Sequence, residues 1–270
     1  MNRLGIETIS VFGLPPVEYV NLAADLGCAH ISMGLFPIDI NPHGYAPYNL
    51  KGDAALRREM NAAMRQRGVS ISLAEGLTVR PGIEVRDRAA EFDAFADLGV
   101  KRINTVSLDP DFGRTLDQFA VTVEMAAERG MESTTEFAPG LTVADLSTAL
   151  AVIRQIGRPD FRLLIDTMHL IRSGSSPADL AVLDPDLIGY VQLCDAPLVS
   201  KFSTYMQEAM TERMVPGQGE LPLLDVLKSV PRDRVVSLEL PLLSQAKAGI
   251  GPLERLRPAV AAARELLEQI

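Results

Sequence analysis

Short apolar runs alternate along the chain with longer segments whose apolar residues recur at helical spacing. Apolar runs that include β-branched side chains predict strands buried on both faces. They lie at residues 4–10, 29–35, 69–77, 100–108, 131–137, 161–166, 188–194 and 235–240. The amphipathic segments predict helices at residues 16–26, 53–67, 86–98, 116–129, 143–156, 177–182, 221–230 and 252–268. The pattern therefore predicts eight consecutive strand–helix units.

The turns and the order of the elements favour a closed barrel. Gly27, Gly68, Gly99 and Gly130 each stand just before a predicted strand, at the helix end where a left-handed backbone is needed. Alternating strands and helices form a parallel sheet with right-handed crossovers. Eight such units predict an α/β fold, the (β/α)8 TIM barrel, as a single domain over residues 1–270. An open doubly wound sheet is the alternative, but no GxGxxG follows the first strand.

The composition limits the classes of protein to which the chain can belong. Hydrophobic residues make up 47% of it, which is enough for a large core. The net charge is −9 and no basic cluster exceeds a local pair such as Arg57 and Arg58, so we expect no nucleic-acid partner. The amino terminus lacks an apolar leader, and no apolar run approaches 18 residues, which predicts a cytoplasmic protein without membrane contact. The two cysteines lack the CxxC spacing of a zinc knuckle and give no disulfide framework.

The segment FRLLIDTMHLIRSG, residues 161–174, is the first to indicate a chemical function. Its apolar run ends in Asp166, and His169 follows three residues later. A carboxylate at the end of a buried strand is costly unless it is paired or binds a cation. Asp166 therefore needs a partner, whereas His169 taken alone is equally consistent with a structural side chain.

Four polar residues stand at the carboxyl ends of four consecutive predicted strands, where TIM barrels carry their active sites. They are Glu136, Asp166, Gln192 and Glu239. Neighbouring strands lie about 4.8 Å apart, so these side chains can converge, and converging carboxylates repel one another. A divalent cation removes that repulsion, and oxygen ligands favour Mg²⁺ or Mn²⁺ over zinc. The alternative is that each acid caps a helix or joins a salt bridge.

Four stretches carry a resemblance to a known family: IDTMHLIRSG, GYVQLCDAP, RMVPGQGELPL and SLELP. On these motifs the chain resembles the xylose isomerase-like TIM barrel superfamily, the sugar phosphate isomerases and epimerases. The resemblance implies one divalent metal, Mn²⁺ or Mg²⁺, held by the four strand-end residues. It also implies that His169 lies beside the metal as a substrate or catalytic group and that Arg213 contacts substrate oxygens. Family habit favours a small-molecule substrate and a homodimer.

The chain departs from the common family pattern at two positions. Gln192 stands where many members have His, and with VQLCDAP and PGQGELPL it is similar to the 3-dehydroshikimate dehydratase branch. Ala138 stands where many members carry a polar residue, which weighs against a base at that point. Endonuclease IV shares the fold but uses three metals and many histidines. The three histidines here, with an acidic surface, argue against that function.

The chemistry implied by the resemblance is proton abstraction next to a carbonyl. We expect an isomerase or epimerase of a sugar or sugar-like hydroxy-ketone, in which Glu136 and Glu239 act as bases on a metal-stabilised enolate. One alternative is a dehydratase of 3-dehydroshikimate or a cyclic polyol ketone, in which His169 helps the β-hydroxyl leave. Another is a catalytically inactive barrel that binds a sugar. Glu75 and His43 are further candidates for substrate contacts; a loop salt bridge and a solvated imidazole are their alternatives.

Overall fold

The computed structural model describes residues 2–270 and contains eight parallel strands. In chain order they are β1 Leu4–Ile6, β2 His30–Gly34, β3 Ser70–Glu75, β4 Arg102–Thr105, β5 Glu132–Glu136, β6 Phe161–Asp166, β7 Ile188–Leu193 and β8 Val236–Leu238. Each strand pairs with its neighbours in sequence, and β1 also pairs with β8 to close the cylinder. The predicted TIM barrel is confirmed, and the open sheet is wrong.

The α-helices of the described residues follow the strands in the predicted alternation. They are α1 Pro16–Asp25, α2 Ala54–Arg67, α3 Ala89–Asp97, α4 Phe112–Ala127, α5 Leu146–Ile156, α6 Thr167–Arg172, α7 Pro177–Ala181, α8 Tyr205–Thr211, α9 Leu223–Lys228, α10 Leu243–Lys247 and α11 Pro252–Leu267. Across residues 2–270, no helix has the length and apolar character needed to span a membrane.

The first strand is shorter than the sequence predicts. The sequence predicts a strand over residues 4–10, whereas β1 has three residues and a 3-10 turn, Thr8–Val11, follows it. The side chain of Ser10 accounts for the turn. Its hydroxyl donates to the carbonyl of Leu238 at 3.1 Å and accepts from the amide of Leu240 at 2.8 Å. These bonds to the last strand replace the ladder bonds that a longer β1 would make.

An apolar cluster of Leu73, Leu164 and Tyr190 is separate from the main core. Each of these residues precedes a polar strand-end residue by two positions, and side chains two apart on a strand share a face. The cluster therefore lies on the same inward face, below the polar residues. The main core lies between strands and helices; in it Phe119 of α4 packs edge-on against Phe161 of β6, with ring centroids 6.1 Å apart.

Candidate active site

A cavity of about 380 Å³ lies at the carboxyl ends of the strands. Its charged lining consists of Glu7, Glu75, Glu136, His169, Arg213 and Glu239. Helix α8, in the long segment after β7, contributes the apolar residues Met206, Ala209 and Met210. A second cavity of about 870 Å³ shares five lining residues with the first, among them Glu75 and Met210, and extends along the loops after β2 and β3. We call the first cavity the inner chamber and the second the outer chamber.

Asp166, the last residue of β6, is buried and makes two kinds of contact. Its Oδ1 accepts from the backbone amide of His169 at 2.7 Å, which caps helix α6. Its Oδ2 accepts from Nη1 of Arg213. Burial alone would raise the pKa of Asp166, but Arg213, with a smaller contribution from His169, holds that pKa well below its usual range. The carboxylate is therefore ionised at neutral pH.

Arg213 joins Asp166 to Glu239. Its Nη1 lies 2.7 Å from Oε2 of Glu239, and its Nε donates to the carbonyl of Ala209 at 2.9 Å. Burial raises the pKa of Glu239 well above its usual value, Arg213 works against this shift, and the neighbouring carboxylates add to it. Glu239 therefore holds a proton more readily than an ordinary glutamate.

Glu136, the last residue of β5, faces His169 across the inner chamber. Nε2 of His169 lies 3.2 Å from one oxygen of Glu136, and Asn104 of β4 donates to the other at 2.9 Å. The second ring nitrogen of His169 shares a hydrogen bond with the hydroxyl of Tyr205. Both ends of the imidazole and both oxygens of the carboxylate are thus fixed by neighbours.

Gln192 of β7 is fully buried and is the ladder partner of Asp166. Its Nε2 donates to Glu7 at 3.3 Å and to Glu75 at 3.4 Å. Its Oε1 is buried and has no hydrogen-bond partner among residues 2–270. A buried carbonyl oxygen left without a donor is costly, which makes it a natural ligand for a cation.

The donor atoms that line the inner chamber or lie next to it fit a divalent metal. One donor atom from each of Glu136, Asp166 and His169 lies within 4.8 Å of the others. Gln192 adds an unpartnered oxygen on the strand next to Asp166. Glu239 is linked to Asp166 through the Arg213 guanidinium. The structure thus brings Glu136 and Asp166, two of the four predicted ligands, together with His169. The other two are neighbours of Asp166: Gln192 on the adjacent strand, and Glu239 through Arg213.

The remaining predicted site residues are divided between the chamber and the surface loops. Glu75 lines both chambers, and burial raises its pKa well above the usual value. His43 lines neither chamber; its ring packs against Tyr45 with centroids 5.3 Å apart. The sequence prediction omitted Asn104 as a site residue. The signal for it is a polar side chain inside the apolar run 100–108.

Comparisons with known proteins agree with the fold. The sequence model of the xylose isomerase-like TIM barrel family matches residues 20–266. The chain is 26% identical over 151 residues to a 3-dehydroshikimate dehydratase from Pseudomonas putida, covering 53% of this chain and 24% of that protein. It is 30% identical over 130 residues to a 2-epi-5-epi-valiolone 7-phosphate 2-epimerase from an Actinoplanes species, covering 45% of this chain and 46% of that protein. The chain therefore spans less than half the length of either curated relative.

Among solved structures, the fold is similar to that of the IolI protein with a bound zinc atom. The TM-score is 0.79 at 17% sequence identity, and the superposition covers 99% of this chain and 98% of the other. At that identity, the likeness shows the shared barrel fold.

Proposed function

This chain belongs to the xylose isomerase-like TIM barrel family, and from that premise we propose that it is a divalent-metal-dependent isomerase or epimerase of a small sugar-like hydroxy-ketone. The observation that carries the proposal is the meeting of donor atoms from Glu136, Asp166 and His169 within 4.8 Å. Glu239 lines the same chamber, so two carboxylates that can exchange a proton border one space. The names of the two curated relatives, an epimerase and a dehydratase, support a reaction of this kind.

Glu136, Asp166, Gln192 and Glu239 would hold the metal. A bound divalent cation supplies a Lewis acid that polarises the substrate carbonyl and stabilises the negative charge that develops next to it. Arg213 lines the chamber, and its Nη2 makes no hydrogen bond within residues 2–270. This nitrogen is available to donate to substrate oxygens while Nη1 neutralises the carboxylates.

Glu239 and Glu136 are the residues that would move the substrate proton. The raised pKa of Glu239, caused chiefly by burial, makes it a stronger base than an exposed glutamate. Arg213 forms an ion pair with its carboxylate at 2.7 Å. Glu136 is fixed by Asn104 at 2.9 Å and faces the same chamber. One group removes the proton and the other returns it, which inverts or shifts the substrate's configuration.

A dehydratase is the second candidate, and the placement of His169 favours it. Its Nε2 lies 3.2 Å from Glu136 inside the chamber, and Tyr205 fixes the opposite nitrogen. An imidazole held in this way can pass a proton to a departing hydroxyl after a carboxylate has removed the α-proton. The Pseudomonas relative, named as 3-dehydroshikimate dehydratase, supports testing that compound as a substrate.

The decisive experiment measures metal binding and turnover on the same sample. The protein is stripped with a chelator, reloaded with Mn²⁺ or Mg²⁺, and incubated in D₂O with a panel of ketoses and with 3-dehydroshikimate. Proton NMR follows deuterium entering next to the carbonyl, and ultraviolet absorbance follows a new conjugated double bond. Glu239→Gln serves as the variant that lacks one base.

The outcomes separate the candidate functions. Deuterium in an epimerised or isomerised product, lost in Glu239→Gln, supports the first proposal. Water loss with a rise in ultraviolet absorbance supports the dehydratase. Metal binding without any proton exchange supports a barrel that only binds its ligand. No metal binding at all would contradict both enzymatic proposals.

A further inference from the structure

The amide of Gln192 has a defined orientation, and two carboxylates set it. Nε2 donates to Oε2 of Glu7 at 3.3 Å and to Oε1 of Glu75 at 3.4 Å. A primary amide has two N–H donors at one end and only acceptor capacity at the other. Each N–H therefore has its own carboxylate acceptor, one following β1 and one at the end of β3.

The reversed amide would be unfavourable in this environment. It would give up both N–H hydrogen bonds and place the carbonyl oxygen of Gln192 against oxygens of Glu7 and Glu75 instead. The two carboxylates thus select one of the two possible amide positions.

The selected position leaves the carbonyl oxygen of Gln192 unpaired. Oε1 is buried, without a hydrogen-bond partner in the described chain, on a side chain with no exposed surface. Gln192 is paired in register with Asp166, and Asp166 contributes one of the candidate metal donor atoms. An amide oxygen is a ligand that hard divalent cations accept readily.

Both carboxylates that hold the amide are themselves fixed. Tyr190 donates its hydroxyl to Glu7 at 2.9 Å. Asn104 approaches Glu75 at 3.5 Å and Glu136 at 2.9 Å. A continuous set of contacts therefore runs from the floor of the barrel, through the amide, to a candidate metal ligand.

We propose that Glu7 and Glu75 are positioning residues that hold the Gln192 amide with its carbonyl oxygen toward the metal. These two contacts present the carbonyl oxygen of Gln192, and not its NH₂ group, to the metal, although the two ends of the amide have nearly the same shape. The proposal rests on the proposed function in one respect, namely that Gln192 ligates the metal. Partners that orient a ligand commonly change metal affinity by about 10–100-fold when they are removed.

The test is a double-mutant cycle on Mn²⁺ affinity, measured by isothermal titration calorimetry. Glu75→Gln and Glu7→Gln are each made in the natural sequence and in a Gln192→Ala background, where no amide remains to be oriented. Loss of a negative charge near the metal acts in both backgrounds, whereas loss of orientation acts only where Gln192 is present. Asp39→Asn is the matched control, because Asp39 lines the outer chamber and has no contact with Gln192.

We expect Glu75→Gln to weaken Mn²⁺ binding about 10–100-fold in the natural sequence and less than about threefold in the Gln192→Ala background. Asp39→Asn should change the affinity less than about threefold in both. Equal effects of Glu75→Gln in the two backgrounds, or none, would overturn the positioning role. Should Glu7→Gln fail to fold, Glu75→Gln decides the question alone.

Failure of this inference differs from failure of the proposed function. Metal binding and proton exchange without coupling between Glu75 and Gln192 would remove the positioning role and leave the enzyme. Coupling between Glu75 and Gln192 in the Mn²⁺ affinity, without proton exchange on any substrate, would support the positioning role and contradict the enzymatic function. Absence of Mn²⁺ binding in the natural sequence would contradict both.

Discussion

The guanidinium of Arg213 is the counter-charge for two buried carboxylates. The residue is 5% exposed, and its Nη1 contacts both Asp166 and Glu239. Removing one partner of a buried ion pair leaves an uncompensated charge in the interior. We therefore expect Arg213→Ala to lower the free energy of unfolding by about 3–5 kcal/mol, measured by urea denaturation of the metal-free protein.

Two controls tie this loss to the carboxylates. In the double variant Arg213→Ala with Asp166→Asn, the total loss should be smaller than the sum of the two single losses, because the buried charge that lacked a partner is gone. Saturating Mn²⁺ should recover part of the loss in Arg213→Ala, since a cation can neutralise the same oxygens. Additive losses, with no effect of Mn²⁺, would contradict this account of Arg213.

The chemistry of Asp166 was partly predictable from its position alone. An acid at the end of a buried strand needs a partner, and the structure supplies two, the His169 amide and Arg213. The alternative given for strand-end acids, a helix cap or a salt bridge, therefore describes contacts that Asp166 makes. Arg213 lies 47 residues further along the chain, so its approach depends on the loop after β7 and no local pattern reveals it.

At the scale of elements, Asp195 holds the PGQG segment, residues 216–219, against the end of β7. Its Oδ2 accepts from the amides of Gly217 at 2.8 Å and Gly219 at 2.9 Å. A Cβ atom on Gly219 would lie 2.4 Å from Oδ1 of Asp195 and 2.6 Å from the carbonyl of Ala196. Overpacking a tight site typically costs about 1–3 kcal/mol, and we expect Gly219→Ala to lower the free energy of unfolding by that amount.

Gly251→Ala is the matched control for Gly219→Ala. A Cβ on Gly251 would meet no atom within 4 Å, and its φ of −68° suits any residue. Urea denaturation should therefore show Gly251→Ala within about 0.5 kcal/mol of the natural sequence. Because the PGQG segment follows Arg213 closely, Gly219→Ala should also raise KM. An unchanged stability in Gly219→Ala would show that the segment can move away from Asp195 at no cost.

Three of the short helices, α6, α8 and α10, are missing from the predicted elements, whereas α7 and α9, of similar length, were predicted. α6, α8 and α10 have six, seven and five residues, too few for a 3.6-residue period to decide the assignment by itself. Seven of the eight predicted strands were too long, because the apolar run extends beyond the residues that pair in the ladder; β6 has the predicted bounds. For α6 a local signal exists, because Asp166 caps the helix three residues before His169.

At the scale of the whole molecule, the barrel was predictable because one strand–helix pattern repeats eight times and every repeat predicts the same topology. Of the inner chamber, the sequence predicted only that side chains at the ends of the strands lie close together. The orientation of Gln192 depends on Glu7 and Glu75, which come from strands far away in sequence. The apolar wall contributed by α8 depends on the path of a long loop. Such features arise only when the barrel closes.

His30 lies at the end of the barrel opposite the candidate active site, and its titration tests whether that end contributes to stability alone. It begins β2, is paired in register with Gly5 and Ser70, and its Nδ1 lies 3.1 Å from the Ser70 hydroxyl. In TIM-barrel enzymes, residues at this amino-terminal end serve stability, and active sites lie at the opposite end. Burial lowers the pKa of His30 below its ordinary value of 6.5, so the folded chain favours the neutral imidazole.

The unfolded chain therefore binds more protons than the folded one as the pH falls through 6.5. The stability that neutral His30 contributes is fully present above that pH and is lost below it. We expect the natural sequence to lose stability relative to His30→Asn between about pH 7.5 and 5.5, measured by urea denaturation with chelator present. The Mn²⁺ affinity of the two proteins should remain equal at pH 7.5, since His30 lies at the end of the barrel opposite the proposed metal ligands. Parallel profiles of stability against pH for the two proteins would contradict this prediction, because they would show that His30 has the same pKa in the folded and the unfolded chain.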